Sequence, residues 1–257
     1  MIDVLIPVGP KDGEMAKICA LSARHYIKDI GTVWIVGHRD LEIPDTVYVD
    51  EAQLPFSLGD VAARLGVSDR AGWYFQQLVK LHAPILIPDL RKQYLVVDAD
   101  TFFLRECRFI EDGRPAFNLG IEYHEPYFEH MQRLHPNLVK PMMYSGITHT
   151  LVYDRIWLQE MISLIEHQHG GKNFWKIYLD EVDPAHREHS GAAENELYFT
   201  YCVLKHINDI VIKSVKWSNI SNIDDINHAD SYASLHWYLR DEDIDFDALR
   251  RKILQSS

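Results

Sequence analysis

The chain has 257 residues, 47% of them hydrophobic and 25% charged, with 38 acidic and 26 basic side chains for a formal net charge of −12. This composition can bury a full core, which excludes a disordered, collagen-like or disulfide-stapled polypeptide, and the length suits one domain spanning residues 1–257. The acidic balance excludes a general nucleic-acid binder, because phosphate contacts supply most non-specific affinity.

The first half alternates strand and helix signals. Residues 3–8 form an apolar run closed by Gly9-Pro10, which predicts a buried strand. Residues 13–29 carry Met15, Ile18, Cys19 and Leu21 near helical spacing. Residues 32–36 and 46–49 are β-branched and aromatic, and they predict a second and a third strand. From 70 to 88, Ala71, Phe75, Leu78, Val79, His82 and Leu86 mark a helix that Pro84 should kink or end. Residues 94–97 are a compact apolar strand running into Asp98-Ala99-Asp100. This rhythm predicts an α/β fold with a mixed, mostly parallel sheet flanked by helices. In the second half, helices are expected at 127–134, 155–169 and 194–206, and strands at 115–123, 147–153 and 210–214. No repeat, low-complexity tract or linker divides the chain.

Asp98-Ala99-Asp100 is the strongest chemical signal. Side chains at i and i+2 of a strand share a face, so both carboxylates are expected to converge at the carboxyl end of the sheet, where ligands sit in open α/β folds. Paired carboxylates repel unless a cation lies between them, and an oxygen-liganded Mg²⁺ or Mn²⁺ answers that need. The alternative is that the two acids cap a turn. Gln76, Gln77 and Lys80 can share one helix face.

The run Gly72-Trp73-Tyr74-Phe75-Gln76-Gln77, followed by Lys80, the apolar strand and Asp98-Ala99-Asp100-Thr101, resembles the GT-A class of nucleotide-sugar-dependent glycosyltransferases. It is most similar to a bacterial and viral branch of that class. Ser145-Gly146-Ile147-Thr148-His149, Glu194-Asn195-Glu196-Leu197-Tyr198 and His236-Trp237 follow in a similar order, so the resemblance covers residues 1–240. It implies a Rossmann-like transferase that moves a sugar from a nucleoside-diphosphate sugar, first of all a UDP-sugar, to a glycan or other hydroxyl acceptor. The nucleotide-sugar half would be residues 1–105 and the acceptor half residues 106–257.

Carried onto this sequence, the resemblance implies a Mn²⁺ or Mg²⁺ ion held by Asp98, Asp100 and His236, with Asp100 the direct ligand. Donor contacts would come from Pro7, Val8, Lys11, Asp12, Gln77, Lys80, Asp98 and Asp100. Ser145 and Gly146 would lie on the acceptor side. Glu194 would be the general base of an inverting transfer, and His149 an alternative base or an acceptor contact. A retaining transfer needs no separate base, and the sequence leaves both stereochemistries open. On a helix Glu194 and Glu196 point about 200° apart, so one of them faces the site.

Two other readings compete. A haloacid-dehalogenase-type phosphatase also opens with an apolar strand and Asp-x-Asp. It wants Thr or Val two places after the second Asp, where this chain has Phe102, and it would draw on Lys213 or Lys216 and on Asp224-Asp225. The other is a non-catalytic sugar-nucleotide-binding module on the same fold.

Cys19, Cys107 and Cys202 are odd in number and widely spaced, which points to reduced thiols. No apolar run approaches the roughly 20 residues of a membrane span, and the start Met1-Ile2-Asp3-Val4 is not a secretory leader. A cytoplasmic protein without an integral membrane segment is therefore expected. The histidines form no zinc-ligand spacing, and His186–His189 reads as a polar loop. The acidic run 241–245 reads as a solvated loop, and 249–254 as a short basic amphipathic stretch that could touch an anionic membrane. Residues 1–179 balance to −5, residues 180–247 to −10 and the last ten to +3. Acidity on the acceptor side disfavours a polyanionic acceptor and favours a neutral glycan or small polyol.

Overall fold

The sequence Ile2-Asp3-Val4-Leu5-Ile6-Pro7 forms strand β1 (Ile2–Pro7), buried along its whole length, as a strand covered on both faces must be. The computed structural model describes residues 1–236 and 244–254, so the expectations at Trp237 and at 241–243 lie outside the described residues. After β1 come α1 (Gly13–Tyr26), β2 (Ile30–Gly37), β3 (Val47–Asp50), α2 (Leu58–Leu65), α3 (Ala71–Leu86), β4 (Gln93–Val97) and β5 (Thr101–Phe103). Then follow β6 (Ile110–Glu111), β7 (Arg114–Asn118), α4 (Glu125–Leu134), β8 (Thr150–Asp154), α5 (Arg155–Gln168) and α6 (Phe174–Asp180). The chain continues through α7 (Glu194–His206), β9 (Val211–Lys213), β10 (Trp217–Asn219), β11 (Tyr232–Ser234) and α8 (Phe246–Leu254).

The central sheet has the order β3-β2-β1-β4-β8. Its first four strands are parallel, and β8 joins β4 antiparallel, from Gln93↔Asp154 to Val97↔Thr150. The fold is thus mixed α/β with a mostly parallel sheet and flanking helices. From β1 the chain first builds outward through β2 and β3, then returns to the other side of β1 as β4. The carboxyl ends of β1 and β4 therefore border a topological switch point, the usual ligand crevice of an open α/β sheet. At the opposite end, the buried Asp3 carboxylate ties β1 to β2 and to the loop that leads into β4. It accepts hydrogen bonds from Thr32 N at 3.0 Å, Trp34 Nε1 at 3.2 Å, and Arg91 N and Nε, both at 3.1 Å.

Two smaller three-stranded sheets, β10-β11-β5 and β6-β7-β9, complete the second half. Helix α2 begins with a Ser57/Asp60 capping box and ends at Gly66 in the left-handed region, φ 71°. Helix α3 runs two residues beyond Pro84, so the proline neither ends it at once nor breaks it. Its missing N–H falls in the last turn, where only one intrahelical bond is lost. Helix α1 stops at Tyr26, three residues short of the expected end, because Ile27 turns extended and β2 begins at Ile30. The C-terminal amphipathic stretch folds as α8 on α1. Leu249 and Ile253 are buried, and the Ile253 carbonyl accepts from Tyr26 Oη at 2.9 Å, so its apolar face is already covered. Among the described residues no helix is long and apolar enough to cross a membrane. All three cysteines are buried and unpaired.

Candidate functional site

Asp98 follows the last residue of β4. The Asp98 N–H donates to His149 O at 3.1 Å, and Thr101 N donates back to Asp98 O at 3.0 Å. Residues 98–101 are therefore a β-turn between β4 and β5, which corrects the expectation that the two carboxylates share a face as i and i+2 of a strand. What brings them together is His149, which leads into β8. Its Nδ1 lies 3.3 Å from Asp98 Oδ2, and its ring lies 4.6 Å, edge on, from His236. His236 Nδ1 is in turn 3.9 Å from Asp100 Oδ2, and Ser234 Oγ donates to Asp100 Oδ1 at 3.2 Å.

The densest part of the site centres on Lys80. In α3 every residue from Gln77 to Ala83 is buried, so a charge there must be paired. The Lys80 ammonium donates to Asp98 Oδ1 at 2.6 Å and to Glu194 Oε1 at 2.5 Å. Burial alone would lower the Lys80 pKa, but Asp98 and Glu194 outweigh it and hold the pKa above its ordinary value. For Asp98, burial would raise the pKa, whereas Lys80 first and then the His149 hydrogen bond hold the carboxyl well below the usual carboxylate range. His149 Nε2 faces Asn219 Oδ1 at 2.8 Å, so both ring nitrogens point at oxygen acceptors. Burial opposes its protonation, yet the Asp98 hydrogen bond and the charges of Asp98 and Asp100 raise the His149 pKa. An imidazole held in this way is oriented from both ring nitrogens.

At the start of α7 the two glutamates part. Glu194 turns to Lys80. Glu196, fully buried, turns to Lys140 Nζ at 2.9 Å and accepts from Gly146 N at 2.6 Å. Burial raises the Glu196 pKa, against the Lys140 contact. Gly146 is pressed so closely onto α7 that an added Cβ would lie 2.2 Å from Phe199 Cβ. Ser145 forms a reciprocal backbone bridge with Gly120, at 2.8 and 2.9 Å. Ser145 and Gly146 thus adjoin the Glu196 side of α7 rather than the Glu194 side.

Gln77 does not share its outlook with Gln76. Its oxygen accepts from Tyr178 Oη and its nitrogen donates to Ala192 O at 3.4 Å, so it binds α3 to α6 and to the segment leading into Glu194. Gln76 instead points to the β1 exit, where its Nε2 and Asp12 Oδ2 would lie 3.1 and 2.8 Å from a Cβ at Gly9. Pro7 and Val8 are buried at the end of β1, whereas Lys11 is exposed. Val8, Gly9 and Pro10 line a shallow cleft with Gly37, His38 and Arg39 from the end of β2.

Several contributors carry no sequence signal of their own. Asn219, Ser234 and Trp217 reach the site through β10 and β11, and Trp217 lies 5.1 Å, edge on, from the His149 ring. Cys19 Sγ contacts Asp98 O at 3.6 Å.

For a divalent cation the fit differs among the expected ligands. Both Asp98 oxygens face Lys80 and His149, so Asp98 as placed does not fit. Asp100 Oδ2 and His236 Nδ1, 3.9 Å apart, offer a carboxylate oxygen and an imidazole nitrogen that suit Mn²⁺ or Mg²⁺. Among the described residues no three His, Cys, Asp or Glu side chains gather as a metal-binding group.

The acids and lysines of a phosphatase do not assemble at Asp98. Lys213 pairs with Glu111, Lys216 with Asp230, and Asp224 with Lys252.

The family of unknown function DUF6492 matches residues 22–219, a span that holds Lys80, Asp98, Asp100, His149 and Glu194. No curated protein matches the chain. Among solved structures, mouse xyloside xylosyltransferase 1 in its apo form is similar at 11% identity, with 93% of this chain and 99% of that one covered and a TM-score of 0.45.

Proposed function

The chain belongs to DUF6492, a family of unknown function, and we propose that it is a glycosyltransferase acting on a nucleoside-diphosphate sugar, in the first instance a UDP-sugar. The observation that carries the reading is the Lys80 ammonium held between Asp98 and Glu194 at 2.6 and 2.5 Å, beside Asp100 and His236, at the carboxyl end of β4. That is the edge of the switch-point crevice, where an open parallel sheet receives nucleotides. The resemblance of the Gly72–Gln77 run and Asp98-Ala99-Asp100 to GT-A enzymes points the same way.

In this reading residues 1–105 bind the donor, with the nucleoside along Pro7, Val8, Lys11 and Asp12. Asp100 and His236 hold a Mn²⁺ or Mg²⁺ ion, which when bound compensates the charge of the departing nucleoside diphosphate. Asp98 holds Lys80 and His149 in place, and His149 orients the Asp98 carboxylate from its far side. Gln77 anchors α3 against the segment before Glu194. For transfer with inversion, Glu194 takes the proton of the acceptor hydroxyl as that oxygen bonds to the anomeric carbon and the bond to the β-phosphate oxygen breaks. The acceptor enters over residues 106–257, past Ser145 and Gly146.

A thermal-shift screen of UDP-, GDP-, dTDP- and CMP-sugars with and without Mn²⁺ tests the reading, since a ligand that binds only the native state raises its stability by mass action. At least one donor should stabilise the protein in a metal-dependent way; if none does, the reading fails. Donor binding without turnover would leave a binding module instead.

A further inference from the structure

Between α6 and α7 the chain crosses residues 181–193 with no regular structure beyond the short turn Pro184–His186. Glu194 is the first residue of α7, and the helix starts at Ala193 without a side-chain cap. The position of Glu194 is therefore set by whatever holds this strap.

The holder is one side of α3. Arg70 at the start of the helix, then Tyr74, Gln77 and Lys80, follow at spacings of four, three and three residues and share that side. Successive turns meet successive residues of the strap. Arg70 Nε donates to His189 O at 2.9 Å, and its Nη2 donates to Ser190 Oγ at 3.2 Å. Tyr74 Oη accepts from Gly191 N at 3.2 Å and donates to His186 O at 3.2 Å. Gln77 Nε2 donates to Ala192 O at 3.4 Å, and the Lys80 ammonium closes the series on Glu194 Oε1 at 2.5 Å. Helix and strap thus run in step up to Glu194.

The strap is also seated from other directions. A Cβ added at Gly191 would lie 2.7 Å from Val182 Cγ1 and 3.0 Å from Tyr74 Oη, so only a glycine lets the backbone come this close to α3. On the α4 side, the ring of His124 donates through Nε2 to Ser190 O at 2.8 Å. The buried Tyr74 hydroxyl is the centre of the arrangement, because it bridges the two ends of residues 186–191 just before Ala192. The run Gly72–Gln77 therefore divides its work: Tyr74 and Gln77 hold the strap, while Gln76 points to the β1 exit.

We infer that Tyr74, together with Arg70, is a positioning residue that sets Glu194 against Lys80 through the strap. The inference rests on the transferase reading, in which Glu194 takes the proton of the acceptor hydroxyl. A base displaced by about 1 Å costs about a hundredfold in rate, so a strap contact remote from the substrate still bears on turnover.

The test uses the full chain labelled with ¹⁵N-lysine. The Lys80 ammonium, buried between two carboxylates, exchanges slowly with water and is assigned by its loss in Lys80→Met. Tyr74→Phe deletes the bridging hydroxyl and should shift or broaden that signal. It should also lower kcat for transfer from the sugar nucleotide by about tenfold or more, while the donor KM stays within about twofold. In the Glu194→Gln background the same substitution should change the residual rate by less than about twofold, because the group it positions is gone. Ser190→Ala, at a half-buried position, removes the Arg70 Nη2 contact and should move both readouts in the same direction, which keeps the test decisive should Tyr74→Phe not fold. An equal loss of kcat in both backgrounds marks a purely structural role and overturns the inference. So does a raised donor KM with kcat intact, which would place Tyr74 at the donor instead. If sugar nucleotides turn over and the Lys80 signal stays unmoved in the variants, only this inference fails. If the Lys80 signal moves while no sugar nucleotide turns over, the strap stands and the transferase reading falls.

Discussion

Replacing Lys80 by Met keeps an unbranched stem one atom shorter but removes the charge between Asp98 and Glu194. With Nζ contacts of 2.6 and 2.5 Å, the two carboxylate oxygens lie no more than about 5.1 Å apart. At an effective dielectric of about 20, that separation gives a repulsion of about 3 kcal/mol once the ammonium is gone. The Glu194 side chain is 8% exposed and that of Asp98 30%, so solvent screens only part of it. Breaking a buried ion pair by removing one partner costs about 3–5 kcal/mol for the same reason. Lys80→Met should therefore lose about 3 kcal/mol or more at pH 7, read by urea denaturation followed through tryptophan fluorescence. The loss should shrink as the pH falls and one carboxylate takes up a proton. Glu194→Gln in the Lys80→Met background should restore much of it, so that the double-mutant cycle shows strong coupling. A single-variant loss below about 1 kcal/mol together with additive behaviour would refute the argument that Lys80 is the charge linking α3, β4 and α7.

Other outcomes follow from the same structure. His82 and His130 are buried, and burial outweighs their backbone hydrogen bonds, which lowers both pKa values to about 4. Because the unfolded chain binds protons from about pH 6.5 downward while these folded histidines do not, stability should fall between pH 6.5 and 4. The loss is roughly 2 kcal/mol per histidine at pH 5, measured by denaturation at pH 7 and pH 5. Stability that is flat across this window would contradict it. Gly146→Ala should destabilise by about 1–3 kcal/mol, because its Cβ would meet Phe199 Cβ at 2.2 Å and Asn195 O at 2.9 Å; a neutral effect in thermal unfolding would show that α7 can yield. Asp3→Ala removes a buried carboxylate that accepts four hydrogen bonds and should cost about 3–5 kcal/mol while leaving sugar-nucleotide binding in the surviving native protein unchanged.

The parts of the fold that the sequence states openly are those set by short-range pattern. The apolar runs of β1 and β4, and the helical spacing of α3 and α7, read correctly because burial on both faces or on one stripe writes itself into neighbouring residues. Helix α2 was not read: Ser57, Asp60 and Gly66 mark its ends, but its apolar stripe is too short to draw attention. Strand β8 was legible as a strand at 147–153, but its antiparallel place beside β4 was not, and neither were the strands β10 and β11. Their pairing is fixed by contacts across long stretches of chain, such as Thr101 with Ser234, and a three-residue strand has no period to read. The site divides in the same way. Lys80, Asp98, Glu194 and His149 stand out as charged or titratable residues set among apolar ones. Asn219 and Ser234 are ordinary polar residues whose place beside His149 and Asp100 only tertiary structure supplies. The strand argument for Asp98 and Asp100 failed locally because the Thr101 N–H closes a turn on Asp98, yet His149 and His236 still unite the two acids.

The most direct test of the transferase account is release of nucleoside diphosphate from sugar nucleotides in the presence of Mn²⁺, compared among the unaltered protein, Asp100→Asn and Glu194→Gln. The account predicts turnover of at least one sugar nucleotide by the unaltered protein. Each variant should lose about a hundredfold or more, and Glu194→Gln should still gain stability from the donor. No release from any sugar nucleotide, or release that both variants support at the full rate, would contradict it.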